Sequence, residues 1–149
     1  MRVISATEAA DLVSTAHALA DAARVATLLH FRKDGLTAET KEAARFDPVT
    51  VADRLSEERM REILAQRRPQ DAILGEEYGA KAGTSGLTWV LDPIDGTRSY
   101  LCGTPTWGVL VAVGLHGCGA GVLQSVLAPL HVGRPQVRAL LPFVVQQVA

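Results

Sequence analysis

The order of hydrophobic patterns along the chain predicts an α/β protein, with helices first and short strands after them. Leu12, Ala16, Leu19, Ala23 and Ala26 recur at three- and four-residue steps, which marks one apolar stripe of a helix. Thr50-Val51-Ala52-Asp53 has the spacing of a capping box and opens a second helix. Beyond it, short apolar runs end in Gly75, in Asp92-Pro93 and after Val113, as strands do.

The first helix runs from about Thr7 to Phe31, with Ser5 or Thr7 as its cap and Glu8 in the favourable first turn. Asp34-Gly35 marks a turn. The polar stretch up to Phe46 reads as a hairpin or an open loop. Asp47-Pro48 is expected to end that extended piece, because proline disfavours helix in the residue before it. The second helix then continues to about Gln66, with Leu55, Ile63 and Leu64 on its apolar side and Pro69 beyond its end. Ala72 to Leu74 is a short strand. Gly79 to Gly86 reads as a small-residue loop. Thr88 to Leu91 is a second strand, which Asp92-Pro93 is expected to stop. Trp107 to Val113 is a buried strand, and Ala120 to Leu127 a partner for it. From His116 the pattern loses definition. His131 to Ala149 holds no acidic residue and reads either as a terminal helix interrupted by Pro135 and Pro142 or as sequence outside any formed site.

The 149 residues suit one domain or one large lobe, and 48% hydrophobic with 21% charged residues is the balance of a soluble globular chain. A net charge of -1 with no basic face argues against nucleic-acid binding. No apolar run reaches the ~20 residues of a membrane span, and the N-terminus lacks a signal-peptide pattern. Cys102 and Cys118 have no metal-type spacing and read as free thiols, which points to the cytoplasm. Cys102 reads as structural rather than nucleophilic, since no histidine lies near it in a persuasive pattern. His17 and His30 read as surface or packing residues, and Trp89 and Trp107 as core aromatics.

Acidic residues stand at the ends of three elements: Asp53 at a helix start, Glu76-Glu77 after one strand, Asp92 and Asp95 after another. Loops at strand ends gather side chains into sites. Magnesium takes oxygen ligands, carboxylates and backbone carbonyls among them. Pro93 stiffens the turn so that both carboxylates and the Ile94 carbonyl can face one space. Gly96 admits a close ligand, and a helix starting at Thr97 would offer free amides to an anion. Taken singly, Asp53 is a helix cap, Glu76-Glu77 a solvated turn and Asp-Gly-Thr a turn. On composition and spacing alone, a metal site and a set of solvated turns both remain open.

Three motifs in order resemble the inositol monophosphatase superfamily: Asp47-Pro48-Val49-Thr50-Val51-Ala52-Asp53, Gly75-Glu76-Glu77, and Trp89-Val90-Leu91-Asp92-Pro93-Ile94-Asp95-Gly96-Thr97-Arg98-Ser99-Tyr100. Arg98, with Gly103-Thr104-Pro105-Thr106-Trp107-Gly108 after it, is more similar to the histidinol-phosphatase branch than to the inositol branch. The resemblance implies a layered fold, namely the N-terminal lobe of the sugar-phosphatase αβαβα sandwich, with a mixed sheet and outer helices. It implies that Glu76, Asp92 and the Ile94 carbonyl hold one Mg2+, and that Asp92 and Asp95 hold a second. Asp53 and Thr97 would orient and activate the attacking water, and the Gly96 and Thr97 amides would hold the phosphate. Arg98 would contact substrate or lie at a subunit interface.

The family continues well past this length, and its C-terminal half supplies a further aspartate in a Trp-Asp motif. No such motif occurs here, and no acidic residue follows Cys118. Residues 1–115 are therefore expected to form a metal- and phosphate-binding lobe, and residues 116–149 an atypical tail that reflects truncation or a reading-frame change. The expected function is magnesium-dependent hydrolysis of a small phosphorylated metabolite, of the histidinol phosphate or inositol monophosphate type. The alternative is a catalytically incomplete relative that binds metal weakly or acts only as an interaction module. A lobe with one uncovered sheet face would aggregate or pair with a second copy.

Overall fold

A computed structural model describes residues 3–33, 37–42 and 45–115. The first helix, α1 (Ala6–His30), starts on Ser5, whose side chain accepts a hydrogen bond from the Glu8 amide. The stripe read from the sequence is its inner face: Leu12, Ala16, Leu19, Ala23 and Ala26 are all buried. The polar stretch after it is a hairpin of β1 (Ala38–Glu42) and β2 (Arg45–Thr50), paired antiparallel. Asp47-Pro48 does not end the extended piece, which runs on to Thr50. A two-stranded ribbon leaves each strand an open edge, so proline's missing donor is tolerated there.

The capping box forms as read. Thr50 caps α2 (Val51–Arg67), and Asp53 closes the reciprocal bond. The buried face of α2 includes Leu64 as expected, with Ile63 packed at its margin, but it is centred away from Leu55. Met60 and Leu64 are fully buried, whereas Leu55 and Ile63 are only half-buried. Asp53, Ser56 and Glu57 complete the inner face.

Among the described residues, four strands make the main sheet, in the order β4-β3-β5-β6: β3 (Ala72–Gly75), β4 (Gly79–Lys81), β5 (Leu87–Asp95) and β6 (Gly108–Leu115). Only β3 and β5 run parallel, so the sheet is mixed. Two expectations are corrected here. The segment after Gly79 is not all loop, because its first three residues pair with β3 as an exposed edge strand. Nor does Asp92-Pro93 stop β5, which continues to Asp95. The pairing with β6 shifts register between Asp92 and Asp95, and that irregularity accommodates the proline.

Helices α1 and α2 pack on one another and against β5 and β6. Their shared core takes alternate strand residues, Leu87, Trp89 and Leu91 with Val109, Val111 and Val113. The opposite set, Thr88, Val90, Leu110 and Ala112, is buried as well. The uncovered sheet face expected for a lobe of this size is therefore not seen at these positions. The large apolar residues exposed on α1 are Val25, Leu28 and Leu29. Both tryptophans are core residues as expected, His17 is exposed and His30 half-buried. Cys102 is an exposed free thiol at the C-terminal cap of a short helix, α3 (Thr97–Leu101), rather than a packed one. Among the described residues no helix is long and apolar enough to cross a membrane. The Asp34-Gly35 turn, Cys118, the strand expected at Ala120 to Leu127 and the tail from His116 lie outside the described residues.

Two polar ties lock these layers. Arg68 meets Asp71 at 2.8 Å and Asp11 at 3.0 Å, and the Trp89 indole donates to Asp71 at 2.9 Å. Burial alone would raise the Asp71 carboxyl, but bonds from Arg68, Ser85 and Trp89 hold it below the usual range. At the other end of α1, the buried Tyr100 hydroxyl donates to the Thr27 carbonyl at 2.6 Å, and its ring stacks edge-on to Trp107.

That carbonyl also accepts the Phe31 amide, so it keeps a partner if the tyrosine hydroxyl is removed. Tyr100→Phe should therefore cost about 1 kcal/mol, the net worth of one buried bond. Urea unfolding measures it, and a loss above about 3 kcal/mol would show that the hydroxyl does more than this tie.

Candidate active site

The expected site residues converge at the C-terminal ends of the parallel pair. Pairing β3 with β5 sets Gly75 beside Leu91, and the Glu76 amide donates to the Leu91 carbonyl at 3.1 Å. Glu76 thus leaves the sheet next to Asp92, the residue after Leu91. C-terminal strand ends are where open α/β sheets gather their ligands. From the other side, α2 presents Asp53, which is 1% exposed.

Asp53 serves two structures at once. Its Oδ2 accepts from the Thr50 amide at 2.8 Å and from the Thr50 hydroxyl at 2.5 Å, which closes the cap. Its Oδ1 lies 3.4 Å from the Thr97 hydroxyl, across 44 residues of chain. The helix-cap reading is correct for this residue, and its second oxygen faces Thr97. Thr97 Oγ1 also donates to the Ile94 carbonyl at 3.0 Å, the shorter of its two contacts.

Gly96 has a φ of 90°, in the left-handed region, and caps α3 without a side chain. A Cβ there would meet the Thr106 carbonyl at 3.0 Å, so the turn that presents Thr97 requires glycine. Arg98 is exposed on α3.

Electrostatically these acidic groups are at odds with one another. Burial, and then Glu76, Asp95 and Asp53, push the Asp92 carboxyl up to about 9. Burial and then Glu76 raise Asp95 in the same way. Asp53 is raised by burial against the pull of its Thr50 bonds, with Glu76 adding to the rise. Asp92 Oδ1 is buried with no hydrogen-bond partner. Among the described residues, no three Asp, Glu, His or Cys side chains are drawn tightly enough together to hold an ion as they stand. The donor set nevertheless fits a hard cation. An orphaned carboxylate oxygen among further carboxylates is what such an ion neutralises, and its charge reverses the local acid-base balance.

Glu57 escaped the sequence reading. It lies four residues after Asp53, one turn along the same buried helix face, and it is fully buried. That spacing is the available signal, but the apolar Leu55, Ile63 and Leu64 mask it in a hydrophobic pattern.

Fold and site together describe a layered α/β domain with a carboxylate cluster beside a Gly-Thr turn. The chain belongs to the inositol monophosphatase family, which it matches over residues 8–132. It is 46% identical over 103 residues to the histidinol-phosphatase of Streptomyces coelicolor, covering 69% of this chain and 38% of that protein. It is 47% identical over 88 residues to the inositol-1-monophosphatase of Mycobacterium leprae, covering 55% of this chain and 30% of that one. An inositol monophosphatase structure from Zymomonas mobilis superposes with a TM-score of 0.57 at 42% identity, over 76% of this chain and 41% of that chain. The SuhB protein of Bartonella henselae superposes with a TM-score of 0.61 at 29% identity, over 72% of this chain and 40% of that one. The chain thus spans well under half the length of the relatives it matches.

A carboxyl raised in the folded state favours folding at low pH, and that contribution is lost as pH rises toward the folded value. Metal-free protein should therefore lose stability between about pH 4 and pH 9, the interval between an ordinary aspartate and Asp92 here. Asp92→Asn should flatten this decline and raise the metal-free melting temperature at pH 8 by a few degrees. Thermal unfolding in a chelator, at pH 5 and pH 8, measures it. An unchanged or lowered midpoint at pH 8 would refute strain at Asp92.

Proposed function

We propose that this chain carries most of the site of a magnesium-dependent phosphate-monoester hydrolase acting on a small metabolite. The orphaned Asp92 oxygen, buried among Glu76, Asp95 and Asp53, carries the proposal. Glu76, Asp92 and the Ile94 carbonyl would hold one Mg2+, and Asp92 with Asp95 would hold a second. When bound, magnesium orients the phosphate and stabilises the leaving alkoxide. Thr97 and Asp53 do the proton work. The hydroxyl lies within reach of the Ile94 carbonyl and Asp53 Oδ1; turning its one proton to Asp53, it accepts the attacking water's proton as it gives its own to the ionised carboxylate, leaving hydroxide to attack. The Gly96 and Thr97 amides bind the phosphate at the start of α3.

Histidinol phosphate is the first substrate to test, followed by inositol monophosphate. The Streptomyces histidinol-phosphatase matches a larger share of this chain than the Mycobacterium leprae inositol-1-monophosphatase at similar identity. Arg98 and the Gly103 to Gly108 segment support the same order. A soluble substrate of this kind accords with a cytoplasmic setting.

The test is phosphate release from both esters, with and without Mg2+. Turnover should require the ion and favour histidinol phosphate. Asp95→Asn should lower kcat/KM by roughly a hundredfold or more. Thr97→Val, which removes the hydroxyl but keeps the shape, should lower kcat about a hundredfold with KM little changed. No turnover above background at any Mg2+ concentration would leave the second reading, a family member that binds metal without catalysis.

A further inference from the structure

We infer that Glu57 and Arg61 are positioning residues for this site, and that Gly75 is glycine to make room for them. The inference rests on the metal reading of Glu76 given above.

The Glu76 side chain departs from a turn whose backbone is held at every residue. The Glu76 amide is fixed by the Leu91 carbonyl. Glu57 takes the next two amides. Its Oε2 accepts from Glu77 at 2.6 Å and its Oε1 from Tyr78 at 3.2 Å. Arg61, one helical turn further along α2, donates to Glu57 Oε1 at 2.7 Å and, through its other arm, to the Gly79 carbonyl. Its guanidinium lies 5.9 Å from the centre of the Tyr78 ring. Two side chains on one helix face thus bind three consecutive residues of the turn.

Stability alone is a poor reason for this pair. Glu57 is fully buried, and apolar residues of similar size replace buried ion pairs at little or no cost in many proteins. What apolar residues cannot do is fix two amides and a carbonyl in one orientation. Bonds of this kind around a metal ligand set its direction, and losing one weakens binding by roughly ten- to a hundredfold.

Gly75 supplies the second observation. It is absent from the positive-φ glycines, so backbone freedom does not explain it. A Cβ at that position would lie 1.8 Å from Glu57 Oε1, 2.4 Å from its Cδ and 2.7 Å from Arg61 Nη2. The carboxylate of Glu57 occupies the space of a side chain at 75. The first residue of the Gly-Glu-Glu motif is therefore a socket for a residue 18 positions earlier in the sequence.

Titration of the full chain with Mg2+ by calorimetry tests this, together with backbone amide exchange. Glu57→Gln keeps the size but sets a donor against amide donors. Gly75→Ala removes no polar group and displaces the carboxylate by contact alone. Each should weaken Mg2+ binding about tenfold. Each should also speed exchange at the Glu77 and Tyr78 amides, while Trp89 and Leu91 in β5 stay protected. A purely structural role would loosen β5 as well. Mg2+ affinity within about twofold of the unsubstituted chain, in either folded variant, overturns the inference. So does loss of folding in both, which would make the pair structural. Failure of the unsubstituted chain to bind Mg2+ would sink the metal reading itself, and this inference with it.

Discussion

Two short strands running side by side in the same direction decide where the acidic groups end up. Because β3 and β5 are parallel and in register from Ala72 with Thr88 to Gly75 with Leu91, their shared ladder ends with Gly75 and Leu91 side by side. The next residue of each strand is a carboxylate, Glu76 and Asp92. An antiparallel pairing would have sent them to opposite ends. The backbone bond from Glu76 to Leu91 continues the ladder one step past the strand and prevents the two from swinging apart. Everything else in the site is added to this pair: Asp53 from the helix side, and Asp95 and Thr97 from the far end of β5.

Such a cluster is unfavourable by itself, and the surrounding structure shows how it is tolerated. Hydrogen bonds from Thr50 offset part of the burial that raises Asp53, while for Asp92 burial and the nearby Glu76, Asp95 and Asp53 all push upward and one oxygen has no partner. Asp71 makes a useful contrast. It is also buried, but Arg68 and Trp89 satisfy it, and its carboxyl lies low. One buried aspartate fastens layers together. The other has no positive partner among the residues that shift it, an environment in which functional acids are often found.

Much of this was legible before any coordinates. The α1 stripe, its Ser5 cap and the Thr50–Asp53 capping box follow from local rules, and each forms as read. The motif residues fall together because short motifs at strand ends report local geometry. The misreadings share one cause, which is tertiary context overriding local punctuation. Pro48 and Pro93 look like stops, but a ribbon edge and a register shift let the strands continue. Leu55 and Ile63 look like core, but the helix is turned so that Asp53 and Glu57 face inward instead. Hydrophobic periodicity cannot register a helix whose inner face is partly charged. Glu57 was hidden for that reason, and its contact with residues 77 and 78 is a long-range pairing that no window of sequence contains.

Asp53 is shared between a helix start and the proposed site, and this has a consequence for how descendants of such a protein diverge. A lineage released from selection for catalysis would still be penalised for losing this aspartate, because the capping box of α2 would lose its reciprocal half and the buried Thr50 amide its acceptor. The same holds for Gly96, which the turn demands sterically. These letters of the signature carry a structural duty beside the proposed chemical one. Asp95, half-exposed at the strand end, has no comparable structural duty among the described contacts. Drift should reach it first, so across relatives its loss, rather than decay of the whole signature, marks where a phosphatase has become something else.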